Sequence, residues 1–283
     1  MIRNYYRKLY RAWLGKPLWK EDFQYILLEL LGLKKGDSVL VHSSFGNLKP
    51  AFSPEEAVEV LMETVSEEGN LLMPYYPSDS VNWLKWGKVF DVRSTPTRSG
   101  ILSATFAEFS GVSKSLHPIK SLAVWGKDRD ALISEHYMSK TPFDSYSPYY
   151  KLLRCNNPKS IGLGIFKNLV VHTAEDNIDL YPRYYSDRVY EGKCITYDGD
   201  CLIVKTPVHI DNKNMVPSCE YLRITDCPEY NEIYFKRRRF YVSNYRAAFI
   251  HIGNIVCKNG LTANIVKYNQ SVKDYINSKL VRI

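Results

Sequence analysis

His172 and Glu175 stand three residues apart in "FKNLVVHTAED" (166–176), directly after the glycine-punctuated run "SIGLGI" (160–165). Residues three apart are neighbours on a helix surface, so an imidazole and a carboxylate at this spacing share a face. Three chemistries suit such a pair: two ligands of a metal site, a general base with the acid that orients it, or a structural contact. A metal needs a third ligand and usually a fourth, and "HTAED" matches neither H-E-x-x-H nor its inverse, so no metal is expected. The pair alone does not decide between the other two.

Polar residues gather at three further places where strands give way to turns: "VHSSFGN" (41–47), "FDVRSTPTRSG" (90–100) and "SLHPIKS" (115–121). In an open α/β sheet ligands sit beyond the carboxyl ends of the strands, which makes these stretches candidates for one site. Other motifs are missing. "IGLGIF" lacks the third glycine of G-x-G-x-x-G, and neither G-x-x-x-x-G-K-[ST] nor G-x-S-x-G occurs, which argues against dinucleotide, P-loop and serine-hydrolase chemistry. The basic run "FKRRRFY" (235–241) has no nucleic-acid-binding module around it and reads as a solvated strand edge or a phosphate contact.

The elements that must position these residues alternate along the chain. "WKEDFQYILLELLGL" predicts a helix and "GDSVLVHSS" a turn followed by a short buried strand ending at His42. "SPEEAVEVLMETVSEEG" predicts a helix with Ser53 at its N-cap and Glu56 three residues on, and "NLLMPYY" another strand. The alternation continues through residue 176 and argues an α/β protein with a covered sheet. From about residue 190 the chain is rich in β-branched and aromatic residues, including "RRRFYVSNYRAAFIHIGNIVC", so residues 190–283 are expected to form a β-rich C-terminal portion. With no glycine- or serine-rich linker, 1–283 is read as a single domain.

Residues 1–17 carry Ile2, Tyr6, Leu9 and Trp13 at helical spacing among Arg3, Arg7, Lys8, Arg11 and Lys16, a basic amphipathic helix. Such a helix docks on the protein's own body or lies on an anionic membrane surface. The start has no continuous apolar block, which sets the expectation of a cytoplasmic protein, at the inner face of the membrane if the helix anchors it. Six scattered cysteines without C-x-x-C read as reduced thiols. A net charge of +8 favours anionic partners.

In this order, "VLVHSSFGNL", "NLLMPYY", "FDVRSTPTRSGILS", "GVSKSLHPIKSLAVWG", "TPFDSYSPYYKLL", "SIGLGI" and "VVHTAED" resemble the aminoglycoside 3-N-acetyltransferase family over roughly residues 36–192. The resemblance implies a central mixed β-sheet flanked by helices and transfer of an acyl group from acetyl-CoA, or another acyl-CoA, to an amine without metal. It implies His172 as general base with Glu175 orienting the ring. Ser43, Ser44, Thr95, Thr97, Arg98 and Ser99 fall where the family cradles CoA, although each also suits a turn or cap. His117 matches the family's H-P motif, where it lines the CoA tunnel or is a buried histidine bonded to backbone. Tyr75, Tyr76 and Asp176 are expected at the substrate. Leu169, Ala104 and Ala107 depart from the family's usual threonine, glutamate and arginine.

The acceptor is then an amino sugar. The positive net charge favours one linked to a nucleotide or lipid diphosphate, as in surface polysaccharide synthesis, over a polycationic aminoglycoside antibiotic. A third reading is a catalytically idle adaptor held at the membrane by the basic N-terminal helix.

Overall fold

The computed structural model describes residues 12–77, 80–165, 168–177, 185–209, 215–216, 225–259 and 265–266; the expected N-terminal helix lies largely outside these. From Lys20 the described elements are α1 (Lys20–Tyr25), which runs into a π-helical turn (Ile26–Leu30), then β1 (Ser38–Ser43), α2 (Pro54–Val65) and β2 (Asn70–Pro74). Next come α3 (Ser80–Lys85), β3 (Val89–Asp91), α4 (Ile101–Phe106), β4 (Ser113–Lys114), β5 (Leu122–Gly126) and α5 (Arg129–Ile133). They are followed by α6 (Pro148–Lys151), β6 (Pro158–Leu163), α7 (Val170–Asn177), β7 (Tyr185–Ile195), β8 (Cys201–His209) and β9 (Met215–Val216). β10 (Tyr230–Phe235), β11 (Arg238–Asn244), α8 (Tyr245–Asn259) and β12 (Ile265–Val266) follow among the described residues.

Seven strands form one sheet in the order β10-β11-β6-β1-β2-β5-β4. β1 is parallel to both β2 and β6, while β5, β4, β11 and β10 add antiparallel flanks, which makes the sheet mixed. β3, β7 and β8 form a separate three-stranded sheet, and β9 pairs with β12.

Alternation along β1 divides the interior in two. Val39 and Val41 join Phe23, Ile26, Val58, Leu61, Leu102 and Phe106 in a cluster under α1, α2 and α4. Leu40 joins Leu72, Tyr149, Val170, Ala174, Tyr245 and Ile252 in a second cluster under α6, α7 and α8. His42 shares the parity of Leu40 and so emerges on this second side.

Local chemistry sets the boundaries. The Ser53 hydroxyl accepts the Glu56 N–H (3.2 Å) and the Glu56 carboxylate accepts the Ser53 N–H (2.9 Å), the expected capping box of α2. The C-terminal portion differs from expectation, because the stretch read as strand after Asn244 is the helix α8. Asn244 Oδ1 accepts the Ala247 N–H (3.0 Å), and Tyr245, Ala248 and Ile252 pack into the second cluster at helical spacing. Tertiary packing overrides the β-branched composition there.

The two glycines of "SIGLGI" have separate reasons. Gly162 faces Tyr241 across the β6–β11 pair, where a Cβ would lie 2.0 Å from the tyrosine ring and 2.5 Å from the Ile165 carbonyl. Gly164 takes φ +70, which turns the chain from β6 toward α7.

Candidate active site

α7 is fixed at both ends. At its start Asn168 Oδ1 accepts the Val170 N–H (3.2 Å) while Asn168 Nδ2 donates to Ser243 Oγ on β11 (3.1 Å). The Leu169 N–H donates to Nε2 of buried His42 at 3.4 Å. In the middle the Thr173 hydroxyl meets the Tyr245 hydroxyl of α8 (2.9 Å). At its end the Phe143 N–H donates to Asp176 Oδ2 (2.9 Å) and Asn177 Nδ2 donates to the Phe143 carbonyl (3.0 Å).

The helix therefore carries His172 on a rigid mount. The imidazole is partly exposed and stacks on the fully buried Phe143 ring, with centroids 5.3 Å apart and planes 29° apart. Glu175 follows on the same helix, and its side chain lies outside the described residues. Asp176 was expected at a substrate; its Oδ2 is engaged with the turn that carries Phe143.

The second component is the loop 95–99, which is laid on the backbone of Tyr75 and Tyr76 just beyond β2. The Tyr75 hydroxyl donates to the Thr95 carbonyl (2.8 Å), and Thr95 Oγ1 accepts the Asp91 N–H (2.8 Å). The Arg98 N–H and the Thr97 hydroxyl donate to the Tyr76 carbonyl (2.7 and 3.1 Å), and Ser99 Oγ accepts the Tyr76 N–H (2.9 Å). Three hydroxyls expected at a ligand are thus committed to shaping the loop. The Arg98 side chain is exposed and makes no ion pair among the described residues.

Ser43 and Ser44 end β1 beside this loop, the Ser43 carbonyl lying 3.9 Å from where a Cβ of Gly100 would stand. The Ser44 N–H donates to the Leu163 carbonyl (2.9 Å), which ties β1 to β6. Ser43 Oγ is buried with no hydrogen-bond partner, a donor left open at the carboxyl end of the central strand. Its parity puts it opposite His42.

Tyr76 connects the loop to the α7 side, since its hydroxyl is 2.9 Å from that of buried Tyr149, and burial pushes both phenols above their ordinary range. Tyr149 in turn packs on Phe143 (centroids 4.7 Å). Lys120 Nζ lies 4.3 Å above the Tyr76 ring and Lys114 Nζ 4.8 Å above the Tyr75 ring; burial lowers the Lys114 ammonium.

His117 is the buried histidine bonded to backbone, one of its two expected forms. Its Nδ1 accepts the N–H groups of Ile119 (3.3 Å) and Lys120 (3.1 Å), so the ring proton sits on Nε2, which has no partner. It stacks on His136 (4.6 Å), whose Nε2 donates to the Pro142 carbonyl (3.1 Å) and whose Nδ1 accepts from the Ser115 hydroxyl (2.8 Å). Burial holds His117 well below its ordinary value and brings His136 down to about 3, so both rings are neutral.

A cavity of about 480 Å³ opens beside Tyr75, lined among others by Glu55, Arg93, Thr97, Glu108 and Phe109. Arg93 is paired with Asp91 (2.8 Å), which holds that carboxyl down at about 2, whereas Glu55 and Glu108 form no ion pair among the described residues. The lining thus offers two carboxylates, with the Lys114 ammonium over the Tyr75 ring and in the field of Glu108.

Sequence reasoning brought "VHSS", "MPYY", "TPTRSG" and "VVHTAED" to one end of the sheet, and the structure places them there, beyond the carboxyl ends of β1, β2 and β6. It missed Phe143 and the use of His42 as a hydrogen-bond acceptor. The only signal for either was the presence of "TPFD" and "VHSS" in the run of motifs.

A family model described as aminoglycoside 3-N-acetyltransferase matches residues 40–251. The SPbeta prophage-derived aminoglycoside N(3')-acetyltransferase-like protein YokD of Bacillus subtilis (strain 168) is 30% identical over 128 residues, 38% of this chain and 47% of that protein. The chain spans about half the length of the curated relatives it matches. Among solved structures, that of the aminoglycoside acetyltransferase AAC(3)-Xa superposes with a TM-score of 0.73 at 17% identity, covering 89% of this chain and 97% of that one. AAC-IIIb in its binary complex with CoASH gives 0.69 at 17% identity, covering 84% and 96%. At such identities these structures speak to the fold, a mixed sheet flanked by helices.

Proposed function

Because the chain belongs to the aminoglycoside 3-N-acetyltransferase family, we propose that it transfers an acyl group from acyl-CoA to an amino group of an aminoglycoside, with His172 as general base. The observation that supports this is a partly exposed imidazole on α7, the helix that follows β6 at the carboxyl end of the central strands, backed by Phe143.

An amino group on a sugar is mostly protonated near neutral pH and cannot attack a thioester until a base removes a proton. His172 accepts that proton, and Glu175, one turn along the helix, balances the imidazolium. The nitrogen lone pair attacks the thioester carbonyl carbon, the C–S bond breaks, and the CoA thiolate leaves to be protonated. The new bond is an amide. The open Ser43 hydroxyl suits an acyl or pantetheine carbonyl, and the exposed Arg98 guanidinium suits a phosphate of the cosubstrate. A CoA complex in the fold family is consistent with this use.

The acceptor assignment departs from what net charge suggested. A sum of +8 over the whole chain says little about one site. We take the acceptor to be an amino sugar bearing several ammonium groups. The family's name points the same way, rather than to a nucleotide- or lipid-linked sugar of polysaccharide synthesis.

Release of free thiol from acetyl-CoA is the direct test. A kanamycin-type acceptor is expected to support turnover and a nucleotide-linked amino sugar much less. A preference for the nucleotide-linked sugar would overturn the acceptor, and no thiol release with either would favour an idle adaptor.

A further inference from the structure

Directly after His172 and Glu175, α7 carries two further polar residues that no step of the proposed reaction uses, Asp176 and Asn177. Residues four apart on a helix are neighbours, so Asp176 follows His172 along one face and Asn177 follows Thr173 along the next. Both reach the same residue of another segment. The Phe143 N–H donates to Asp176 Oδ2 (2.9 Å), and the Phe143 carbonyl accepts from Asn177 Nδ2 (3.0 Å), which also donates to the Thr173 carbonyl (2.7 Å). The two planar peptide units that flank the Phe143 Cα are thereby bonded to α7, and with both planes held the direction of the side chain is held too.

The ring is confined in turn. It is fully buried, with Tyr149 against it (centroids 4.7 Å) and the His172 imidazole stacked on it (5.3 Å, planes 29° apart). The carbonyl before it, that of Pro142, accepts from His136 Nε2 (3.1 Å), which ties the turn to the second core from its other flank. The contacts close a circuit: from His172 along the helix to Asp176 and Asn177, across to Phe143, and back through the phenyl ring to the imidazole. A helix fixes the Cα of a histidine and narrows its first torsion, but the second, at the ring, is broad. A flat, immobile partner is what narrows it.

We infer that Asp176 and Asn177 are positioning residues for acyl transfer: by holding Phe143 at its N–H and its carbonyl, they set the plane in which His172 meets the incoming amine. This rests on His172 being the general base proposed above. The stack has a second effect, because an imidazole that takes up a proton against an aromatic face becomes a cation in a favourable field.

A bracing role and an ammonium-binding role make different demands on Asp176. Binding an ammonium of the acceptor calls on the carboxylate's charge, whereas bracing Phe143 calls only for an oxygen that accepts an N–H. Asparagine separates the two, since its amide oxygen accepts and carries no charge.

The full chain with Asp176→Leu, Asp176→Asn and Asn177→Ala is measured in the thiol-release assay with acetyl-CoA and a kanamycin-type acceptor, and by proton NMR of the His172 ring, whose resonance is identified by its loss in His172→Gln. Asp176→Leu is expected to lower kcat roughly ten- to a hundredfold with both KM values held, and Asn177→Ala to act in the same direction. Asp176→Asn is expected to recover most of the loss. The His172 ring proton, lying against the Phe143 face, is expected upfield in the parent chain, to move toward the position of a solvated histidine in Asp176→Leu, and to stay in place in Asp176→Asn. Circular dichroism checks the fold, and should Asp176→Leu unfold the chain, Asn177→Ala decides. An unchanged kcat with an unmoved resonance, equal losses in Asp176→Leu and Asp176→Asn, or an effect on KM alone would each overturn the inference. Full activity in His172→Gln would instead bring down the general-base reading, a result distinct from an inactive His172→Gln beside an unaffected Asp176→Leu.

Discussion

One face of the seven-stranded sheet is closed by α1, α2 and α4 with side chains such as Phe23, Val41, Val58, Leu61 and Leu71, an apolar layer in which buried Thr64 bonds only its own helix. The other, under α6, α7 and α8, is built of the same aliphatic residues interrupted by Tyr149, Tyr245 and Thr173, with His42 and His136 beside them. Both faces are equally buried. What differs is that Tyr149, Tyr245, Thr173, His42 and His136 on the second face are hydrogen-bonded, hydroxyl to hydroxyl and ring nitrogen to backbone, although Nε2 of neighbouring His117 is left open, so that orientation is specified as well as volume. The first face supplies cohesion; the second holds an imidazole in a fixed pose.

That contrast is open to direct attack. His172→Gln, at the outer end of the polar face, is expected to lower kcat by about 10² to 10⁴ in the thiol-release assay and to leave the urea midpoint nearly unchanged. Leu61→Ala, in the centre of the apolar face, is expected to do the reverse: a loss of about 2–5 kcal/mol in urea unfolding, with kcat per folded molecule retained. A fall in kcat on Leu61→Ala comparable to that on His172→Gln would erase the division of labour.

Phe143→Leu probes the boundary between the two roles. It keeps an apolar side chain under the imidazole but removes the flat ring that stacks on it. A drop of roughly ten- to a hundredfold in kcat with KM held is the expected signature of a positioning loss. A KM effect alone would reassign Phe143 to substrate binding.

Acid separates the faces by titration. His136 has a folded value of about 3, while an unfolded histidine titrates near 6.5. Between those values the unfolded chain binds a proton that the folded chain does not, so stability falls as pH falls through that window and is unaffected above it. Each pH unit removes at most about 1.4 kcal/mol per histidine, with His117 adding in the same direction. Urea midpoints measured from neutral pH downward are expected to slope accordingly, and His136→Gln to flatten the slope.

The apolar face was the more legible one. Strand and helix periodicity placed β1, α2 and β2, and the Ser53–Glu56 spacing named a capping box that is present in both directions. The polar face was legible in position but not in use. Thr95, Thr97 and Ser99 were read as hydroxyls for a ligand, yet short polar side chains beside a turn bond the nearest backbone: Thr95 accepts the Asp91 N–H, while Thr97 and Ser99 hold Tyr76 in place. Asp176 bonds the Phe143 turn for the same reason, and Phe143 reaches His172 only through the tertiary fold. α8 was hidden because Phe249, Ile250, Ile252 and Ile255 resemble a strand until Ala248 and Tyr245 are seen to pack at helical intervals against the second core.

Gly162 turns out to govern more than its own strand. The hydrogen atom it carries in place of a side chain lets Tyr241 lie flat across β6, and two residues on in β11 is Ser243, the anchor for Asn168 at the head of α7. A single methyl group at 162 would meet the tyrosine ring and also the unyielding Ile165 carbonyl, so β11 would have to lift. The displacement would travel through one side-chain amide to the helix, with β11 as lever arm and Asn168 as pivot, and would tilt the imidazole without touching it.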